Sequence, residues 1–309
     1  MSWMLGVACC RKVLLEEGYQ WVAPASAFYP NVNTAVSAPH WHHHYPASRL
    51  KIHRLPRPIS KLLPDYIAIR PVAGSSSIEW ALAESKGTRA SISGMMTCPS
   101  SWTAQVNNAA VEVDGVTVPI ARNLVVATRV NPNAKRPLTR RLQVRAWNSS
   151  ISAPTDDFEL AKIEVIAASL FGICRNLDLI DNANAIAQAT RMRRKGQATD
   201  TERGLLYRLN EQASQELRER RVDSHFDGAE LNVPVRYRED GFSRLRIKIE
   251  RSTMQLIEAM QMLVTPFEDV MSRVPSLDRE ITGWYEGQRS QRTATRSVLP
   301  EGIVVQLDR

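Results

Sequence analysis

The side chains best suited to metal chemistry lie in one stretch, Pro39 to Pro58, which holds five of the six histidines of this 309-residue chain. On an extended chain His42 and His44 point to the same side, so that both could bind one ion. A catalytic zinc ion usually takes a third protein ligand, and its histidines hydrogen-bond to carboxylates. Residues 18–64 contain no Asp or Glu, and the chain has no HExxH motif. We therefore predict no metal site and no cofactor, and keep a metal-dependent hydrolase built on His42 and His44 as an alternative.

The same stretch is also suited to binding an anion. Its basic residues, together with an aromatic residue that can stack on a base, are Trp41, Arg49, Lys51, Arg54 and Arg57. Arginine and lysine side chains bind phosphates, and aromatic rings stack on unpaired bases. We predict that these residues contact RNA or another polyanion. The alternative is a strap that packs on a neighbouring protein.

A second basic region lies within residues 115–155, which again contain no acidic residue. Its candidate phosphate ligands are Arg122, Arg129, Lys135, Arg136, Arg140, Arg141 and Arg145. Asn-Pro and Arg-Pro steps indicate that residues 131–141 form a loop, and a basic loop beside a sheet is a suitable phosphate contact. The alternatives are a solvated face and a surface for an acidic protein.

Patterns typical of enzymes are missing from the chain. It contains none of the GxxxxGKS/T, GxGxxG and GxSxG patterns that bind nucleotides or present a nucleophile. Cys98 has no histidine near it in the sequence to lower its pKa, and Asp156 and Asp157 are placed to begin a helix. We therefore expect that the protein is not an enzyme.

Composition bears on the partner and on the compartment. The net charge of +8 and the pI near 9.5 favour a polyanionic partner or an acidic protein surface. No apolar run approaches the ~20 residues that a membrane-spanning helix needs. The four cysteines form no CxxC motif, which predicts an intracellular, reducing compartment. The cytoplasm and a virion both fit, and a mitochondrial location is left open.

Four regions with different patterns must position these residues, and together they predict an α+β fold. They are an extended Pro- and His-rich arm at 1–64, a small basic β-rich unit at 65–150, an α-helical domain at 151–286 and a basic C-terminal tail at 287–309. Closely spaced prolines make regular helix unlikely in the arm. In the β-rich unit Asp114 and Gly115 separate two alternating apolar runs, which predicts a hairpin over residues 111–120.

The helical half carries its own signals. Thr199 and Glu202 have the spacing of a capping box, which predicts that a helix begins there. A further long helix is predicted from Ser243, because Leu245 and Ile249 begin an apolar stripe with helical spacing. Cations in the first turns of that helix would oppose its dipole and so indicate an external anion. These cations are Arg244, Arg246, Lys248 and Arg251.

The segregation of basic from acidic residues decides the functional prediction. We predict a non-enzymatic structural protein of a large assembly that contacts RNA or another polyanion. A viral nucleocapsid or coat protein and a subunit of an organellar ribonucleoprotein fit equally well. A protein-only scaffold, or an accessory subunit of a large complex, is the further alternative.

Overall fold

The structure, a computed structural model, has the predicted α+β class, with most strands in the N-terminal half and most helices in the C-terminal half. It describes residues 2–29, 49–55, 63–72, 77–88, 96–130, 142–148, 158–196, 198–220, 228–234, 244–262, 268–293 and 296–308. The described residues divide into two compact units, and the division falls between Ile166 and Ala167.

A five-stranded sheet forms the centre of the first unit. In spatial order its strands are β1 (Trp21–Pro24), β3 (Tyr66–Pro71), β4 (Ile78–Gly87), β7 (Arg122–Val130) and β8 (Leu142–Asn148). All neighbouring strands are antiparallel except β4 and β7, which run parallel. Because the middle of β4 is buried on both faces, its residues Trp80–Ala83 form a continuous apolar run rather than an alternation.

Helix α1 (Ser2–Glu16) covers one face of this sheet. Its buried side chains Cys10 and Leu14 pack on small and branched residues, among them Ala83 and Val126, which point to that face. Helix α2 (Ser100–Asn107) packs against β4 and β7, and its Gln105 hydrogen-bonds to Lys86, which points to the opposite face from Ala83. The sheet is therefore covered by a helix on each side.

A three-stranded sheet completes the first unit, in the order β2 (Leu50–Arg54), β5 (Ala109–Val113) and β6 (Val116–Val118). Strands β5 and β6 form a hairpin where the sequence predicts one. Asp114 and Gly115 form its turn with φ of 51° and 83°, the left-handed conformation that a two-residue type I′ turn requires.

The extended arm predicted for residues 1–64 is corrected in its described parts. Residues 2–16 are helical, because burial of one face of α1 on the sheet outweighs the weak helical pattern of the sequence. Strands β1 and β2 each pair inside a sheet of the same chain, so these segments are ordered by their own unit. Residues 30–48 lie outside the described residues.

The second unit combines helices with a four-stranded sheet. Its helices are α3 (Glu159–Asn176), which crosses the division between the units, α4 (Ile180–Lys195), α5 (Asp200–Arg220), α6 (Arg251–Gln261) and α7 (Glu268–Gln288). Its strands, in spatial order, are β11 (Arg296–Leu299), β12 (Ile303–Asp308), β10 (Arg244–Ile249) and β9 (Ala229–Pro234). The predicted capping box precedes α5, where the Glu202 backbone N–H donates to Thr199 Oγ1 and the Thr199 N–H donates to Glu202.

The long helix predicted from Ser243 is wrong at its start. Residues 244–249 form strand β10, and α6 begins only at Arg251, where the Glu250 carboxylate accepts hydrogen bonds from two backbone N–H groups. Leu245 and Ile249 are four residues apart, a spacing that fits both the helical period of 3.6 and the strand period of 2. Ile247 between them completes the alternation of a strand. The cations predicted for the first turns of a helix therefore lie mainly on a strand, and the argument from the helix dipole fails for them. Among them Arg246 and Lys248 are within 3.4 Å of the Glu230 carboxylate.

The predicted C-terminal tail is also folded in its described parts. Strands β11 and β12 pair across a turn in which Gly302 has a φ of 74°. The apolar residues Val298, Ile303 and Val304 are buried there, so this end of the chain contributes to the core of its unit. Among the helices that the structure describes, none is long and apolar enough to cross a membrane.

Candidate functional site

Six of the predicted polyanion-binding residues are described by the structure, namely Arg49, Lys51, Arg54, Arg122, Arg129 and Arg145. The others, together with the two metal candidates, lie outside the described residues: Trp41, His42, His44, Arg57, Lys135, Arg136, Arg140 and Arg141. The described six fall on two sheets of the first unit, and their surroundings differ.

Arg122 is neutralised by carboxylates of its own chain. Its Nε lies 2.8 Å from Glu79 and its Nη1 lies 3.0 Å from Glu17. Glu79 also accepts hydrogen bonds from Arg70 and from the Tyr19 hydroxyl. Burial alone would raise the pKa of Glu79, but these hydrogen bonds and the two guanidinium charges outweigh it and hold that pKa below its ordinary value. Arg122 is thus part of an ion-pair network that joins β4 and β7 to the residues at the end of α1.

The basic residues of β2 and its flank also face acids. Arg49 forms a bidentate ion pair with Asp114 in the hairpin turn. Lys51 stands opposite Glu112 in the β2–β5 register, and His53 Nε2 lies 3.3 Å from the same carboxylate. Residues 18–64 contain no acid, but pairing of β2 with β5 brings Glu112 of β5 and Asp114 of the following turn to these basic residues. Arg54 is the exception, because it stands opposite Ala109 and its buried Nε has no hydrogen-bond partner among the described residues. Carboxylates thus face Arg49 and Lys51 but not Arg54, which weakens the support for this sheet as a phosphate-binding surface.

A different arrangement occurs on strands β7 and β8. Arg129 stands opposite Gln143 in the register, Ala127 opposite Arg145, and Val125 opposite Trp147. Because residues two apart on a strand share a side, the side chains of Arg129, Gln143, Arg145 and Trp147 share one face of the sheet, which we call the β7–β8 face. Lys86 is aligned with Ala127 in the parallel pairing of β4 and β7, so the same face carries α2.

Arginine and aromatic groups are layered on the β7–β8 face. The guanidinium carbon of Arg145 lies 5.9 Å from the centre of the Trp147 ring, within cation–π range. Trp102 of α2 meets Trp147 edge to face, with ring centres 6.3 Å apart. Arg145 Nη1 is also 3.0 Å from the sulfur of Met96, whose side chain is exposed. Both tryptophans and both arginines are only half-buried.

The arginines of this face have no carboxylate partner among the described residues. Over the part of the chain that the structure describes, neither Arg129 nor Arg145 forms an ion pair, and the buried Nη1 of Arg129 has no hydrogen-bond partner there. In this they differ from Arg49 and Arg122, which are paired with carboxylates of the same chain. The pairing of β7 with β8, which brings Arg129 and Arg145 to the same face, requires tertiary structure and cannot be read from spacing alone.

A buried polar cluster beside α2 was missed by the sequence analysis. Glu84 of β4 contacts Lys86, which also donates to Gln105 of α2 at 2.9 Å. Burial and the neighbouring Asp65 carboxyl together raise the pKa of Glu84 from 4.5 to about 8, despite the opposing charge of Lys86. Asp65 accepts two hydrogen bonds from Ser85, and burial raises its pKa as well. The signal in the sequence was the pair Glu84 and Lys86, two charged residues close together after the apolar segment Trp80–Ala83 of the same strand.

Metal-binding and redox groups gain no support from the described geometry. Within those residues no three His, Cys, Asp or Glu side chains converge on a point that could hold an ion. All four cysteines are free thiols, and three of them are buried.

The chain matches no family model, curated protein or solved structure. On the β7–β8 face, two arginines that form no ion pair among the described residues lie beside two half-buried tryptophans.

Proposed function

We propose that the protein is a non-enzymatic structural component of a large assembly and that it binds RNA or another polyanion. The observation that carries the proposal is the contrast between two sets of arginines. Arg49 and Arg122 are neutralised by carboxylates, whereas Arg129 and Arg145 have no carboxylate partner among the described residues. Unpaired guanidinium groups on an accessible face are the groups that bind phosphate oxygens.

The chain connection at the end of this face adds charge to it. Val130 and Leu142 are the last paired residues of β7 and β8, and residues 131–141 join them. That segment contains four basic residues and no acidic one, namely Lys135, Arg136, Arg140 and Arg141. Its attachment to both strands supports a single binding surface that includes the β7–β8 face. The net charge of +8 would draw a polyanion towards it.

Salt dependence of binding tests the proposal directly. A fluorescent single-stranded RNA is titrated with the full-length protein at several salt concentrations. Each phosphate that the protein neutralises should contribute about −0.7 to the slope of log K against log salt. Several contacts predict a steep loss of affinity. A flat response, or no binding at low salt, would reject the proposal and favour a protein-only scaffold.

Charge reversal locates the surface. We expect Arg136→Glu, Arg140→Glu and Arg141→Glu together to weaken RNA binding by roughly tenfold or more at moderate salt. The matched control reverses three exposed arginines of α5, Arg203, Arg208 and Arg218, and so changes the net charge by the same amount. Equal weakening by both triple variants would mean that total charge alone drives binding.

The histidines provide a second comparison. Replacing His42, His43 and His44 by alanine should weaken RNA binding less than the charge reversal, because neutral imidazoles neutralise no phosphate. If bound zinc or manganese is found in stoichiometric amount and is lost in this variant, the hydrolase alternative replaces the proposal. Copy number in the native assembly separates a coat protein, which assembles with itself, from a ribonucleoprotein subunit.

A further inference from the structure

We propose that the β7–β8 face binds single-stranded nucleic acid in particular, with an unpaired base stacked in the layer formed by Trp147, Trp102 and Arg145 while Arg129 and Arg145 bind the flanking phosphates. This inference rests on the proposed function and makes it specific. It names the ligand as unpaired nucleotides rather than any polyanion.

The first step is the placement of the groups along β8. Arg145 and Trp147 are two residues apart on one strand, so their side chains leave the sheet about 7 Å apart and on the same side. Arg129 stands diagonally across from Arg145 on β7, again on that side. Cationic and aromatic groups therefore alternate over a short distance, as a strand of phosphates and bases does.

The second step is the orientation of the aromatic rings. The edge-to-face contact with Trp102 fixes the ring of Trp147 from the side of α2, and the Arg145 guanidinium lies over that ring. Both the indole ring and the guanidinium plane are surfaces on which bases stack. We infer that a base binds by stacking on this layer of indole and guanidinium groups.

The third step is access. β8 is the last strand of its sheet among those described, and α2 packs on the neighbouring strands β4 and β7. Met96, which contacts Arg145 on this face, is 58% exposed. Both tryptophans are half-buried. This rim of the unit is thus open to a ligand, in contrast to the fully buried strand β1 at the opposite edge.

The combination of groups favours unpaired nucleotides over other anions. The carboxylates of an acidic protein surface would pair with the arginines, but they have no ring faces to stack on the two half-buried tryptophans. A duplex hides the faces of its bases within its own stack, so it offers only phosphates to this surface. Single-stranded nucleic acid is the polyanion that uses both kinds of group, and stacking on one aromatic side chain contributes about 1–3 kcal/mol.

The test compares three probes with the full-length protein under one salt condition. They are a fluorescent single-stranded oligouridine, the same strand annealed to its complement, and inorganic polyphosphate, which has charge but no bases. We expect the single strand to bind at least several-fold more tightly than the duplex. We expect Trp147→Ala to weaken binding of the single strand by roughly tenfold, the equivalent of about 1.4 kcal/mol of lost stacking, and to leave polyphosphate binding within about twofold.

Conservative variants separate stacking from folding. Trp147→Phe should recover most of the affinity for the single strand, because phenylalanine keeps an aromatic face, whereas Trp147→Leu keeps apolar packing and should not. Arg145→Lys keeps the charge but removes the planar guanidinium group. It should therefore weaken binding of the single strand more than binding of polyphosphate. The matched control is Trp284→Ala, which removes a half-buried tryptophan of the second unit. It should change the affinity for neither the single strand nor polyphosphate. Thermal unfolding shows which variants are folded.

Two outcomes overturn the inference, and they differ in what they say about the proposed function. If single strand, duplex and polyphosphate bind equally and Trp147→Leu changes none of them, the protein is still a polyanion binder but does not recognise unpaired bases. If none of the probes binds at low salt, both proposals fall. In that second case polyglutamate is added as a fourth probe, and its binding would replace the nucleic acid by an acidic protein partner.

Discussion

At the scale of single residues, what matters for each charged side chain is whether a partner of the same chain faces it. Arg122 and Arg145 are both basic residues in one acid-free stretch of sequence, yet Arg122 contacts two carboxylates and Arg145 contacts an indole ring and a thioether. The charge of Arg122 is thus paired within the chain, whereas Arg145 forms no ion pair among the described residues. Glu84 is the opposite case, since it is an acid that burial holds in its protonated form near neutral pH.

We expect Glu84 to make unfolding pH-dependent. Its pKa is about 8 in the folded protein and near its ordinary value of 4.5 in the unfolded chain, so the folded state binds more protons between these values. The free energy of unfolding should therefore fall as pH rises through this window, by an amount on the order of a few kcal/mol. In Glu84→Gln this part of the pH dependence of the free energy of unfolding should disappear.

Urea unfolding at pH 5, 7 and 9 measures this effect. The neighbouring Asp65, whose pKa burial also raises, contributes in the same direction and keeps some slope in the variant. Glu211→Gln removes an exposed carboxyl of α5 and serves as the control. If the free energy of unfolding changes with pH in the same way in the wild type and in Glu84→Gln, the raised pKa of Glu84 is contradicted.

At the scale of elements, turns and caps are specified where the residue type fits one backbone conformation. The β5–β6 turn has the left-handed φ values for which Asp-Gly is favoured. The start of α5 is fixed by the reciprocal hydrogen bonds between Thr199 and Glu202. These local devices define where elements begin and reverse, and leave open which elements become neighbours.

A pair of glycine substitutions tests the turn. Gly115→Ala should lower the free energy of unfolding by about 1 kcal/mol, because alanine is strained at a φ of 83° while its Cβ meets no atom within 4 Å. Gly204→Ala is the matched change inside α5, where the added Cβ also meets nothing within 4 Å. Gly204→Ala should raise the free energy of unfolding by about 0.5–1 kcal/mol, because alanine has a higher helix propensity than glycine. Thermal and urea unfolding measure both, and a stabilising Gly115→Ala would contradict the turn.

At the scale of the whole molecule, the reactivity of buried thiols measures how often the folded protein opens. Cys9, Cys10 and Cys174 are at most 8% exposed, and Cys98 is the most accessible of the four. Burial also raises the pKa of Cys10 and Cys174, which leaves less of the reactive thiolate at neutral pH.

We therefore expect one thiol per native molecule to react with DTNB well before the others. Cys98→Ser should remove this first phase, and the remaining thiols should react at the rate at which the protein opens. In denaturant all four should react together. Fast reaction of two or more thiols in the native protein would show that the packing of α1 or α3 is looser than the structure has it.

The sequence predicted the fold class and several elements because their signals are local. The alternation in Val111–Val118 and the acid-free basic stretch are visible without any tertiary contact. Strand β10 was assigned to a helix because one apolar spacing satisfies both periods. Helix α2 was missed altogether, since its eight residues carry a weak pattern and few strong helix formers.

By itself the sequence determined the excess and segregation of positive charge, the hairpin turn and the capped start of α5. Only the tertiary structure decided which charges remain available. Parallel pairing of β4 with β7 and the packing of α1 bring Glu79 and Glu17 to Arg122, and Glu17 lies 105 residues away from it in the chain. The register of β7 with β8 places Arg129, Arg145 and Trp147 on one face. The reason is physical: periodicity fixes the direction of each side chain within its own element, whereas its partners depend on the pairing of distant segments, for which the local sequence carries no signal.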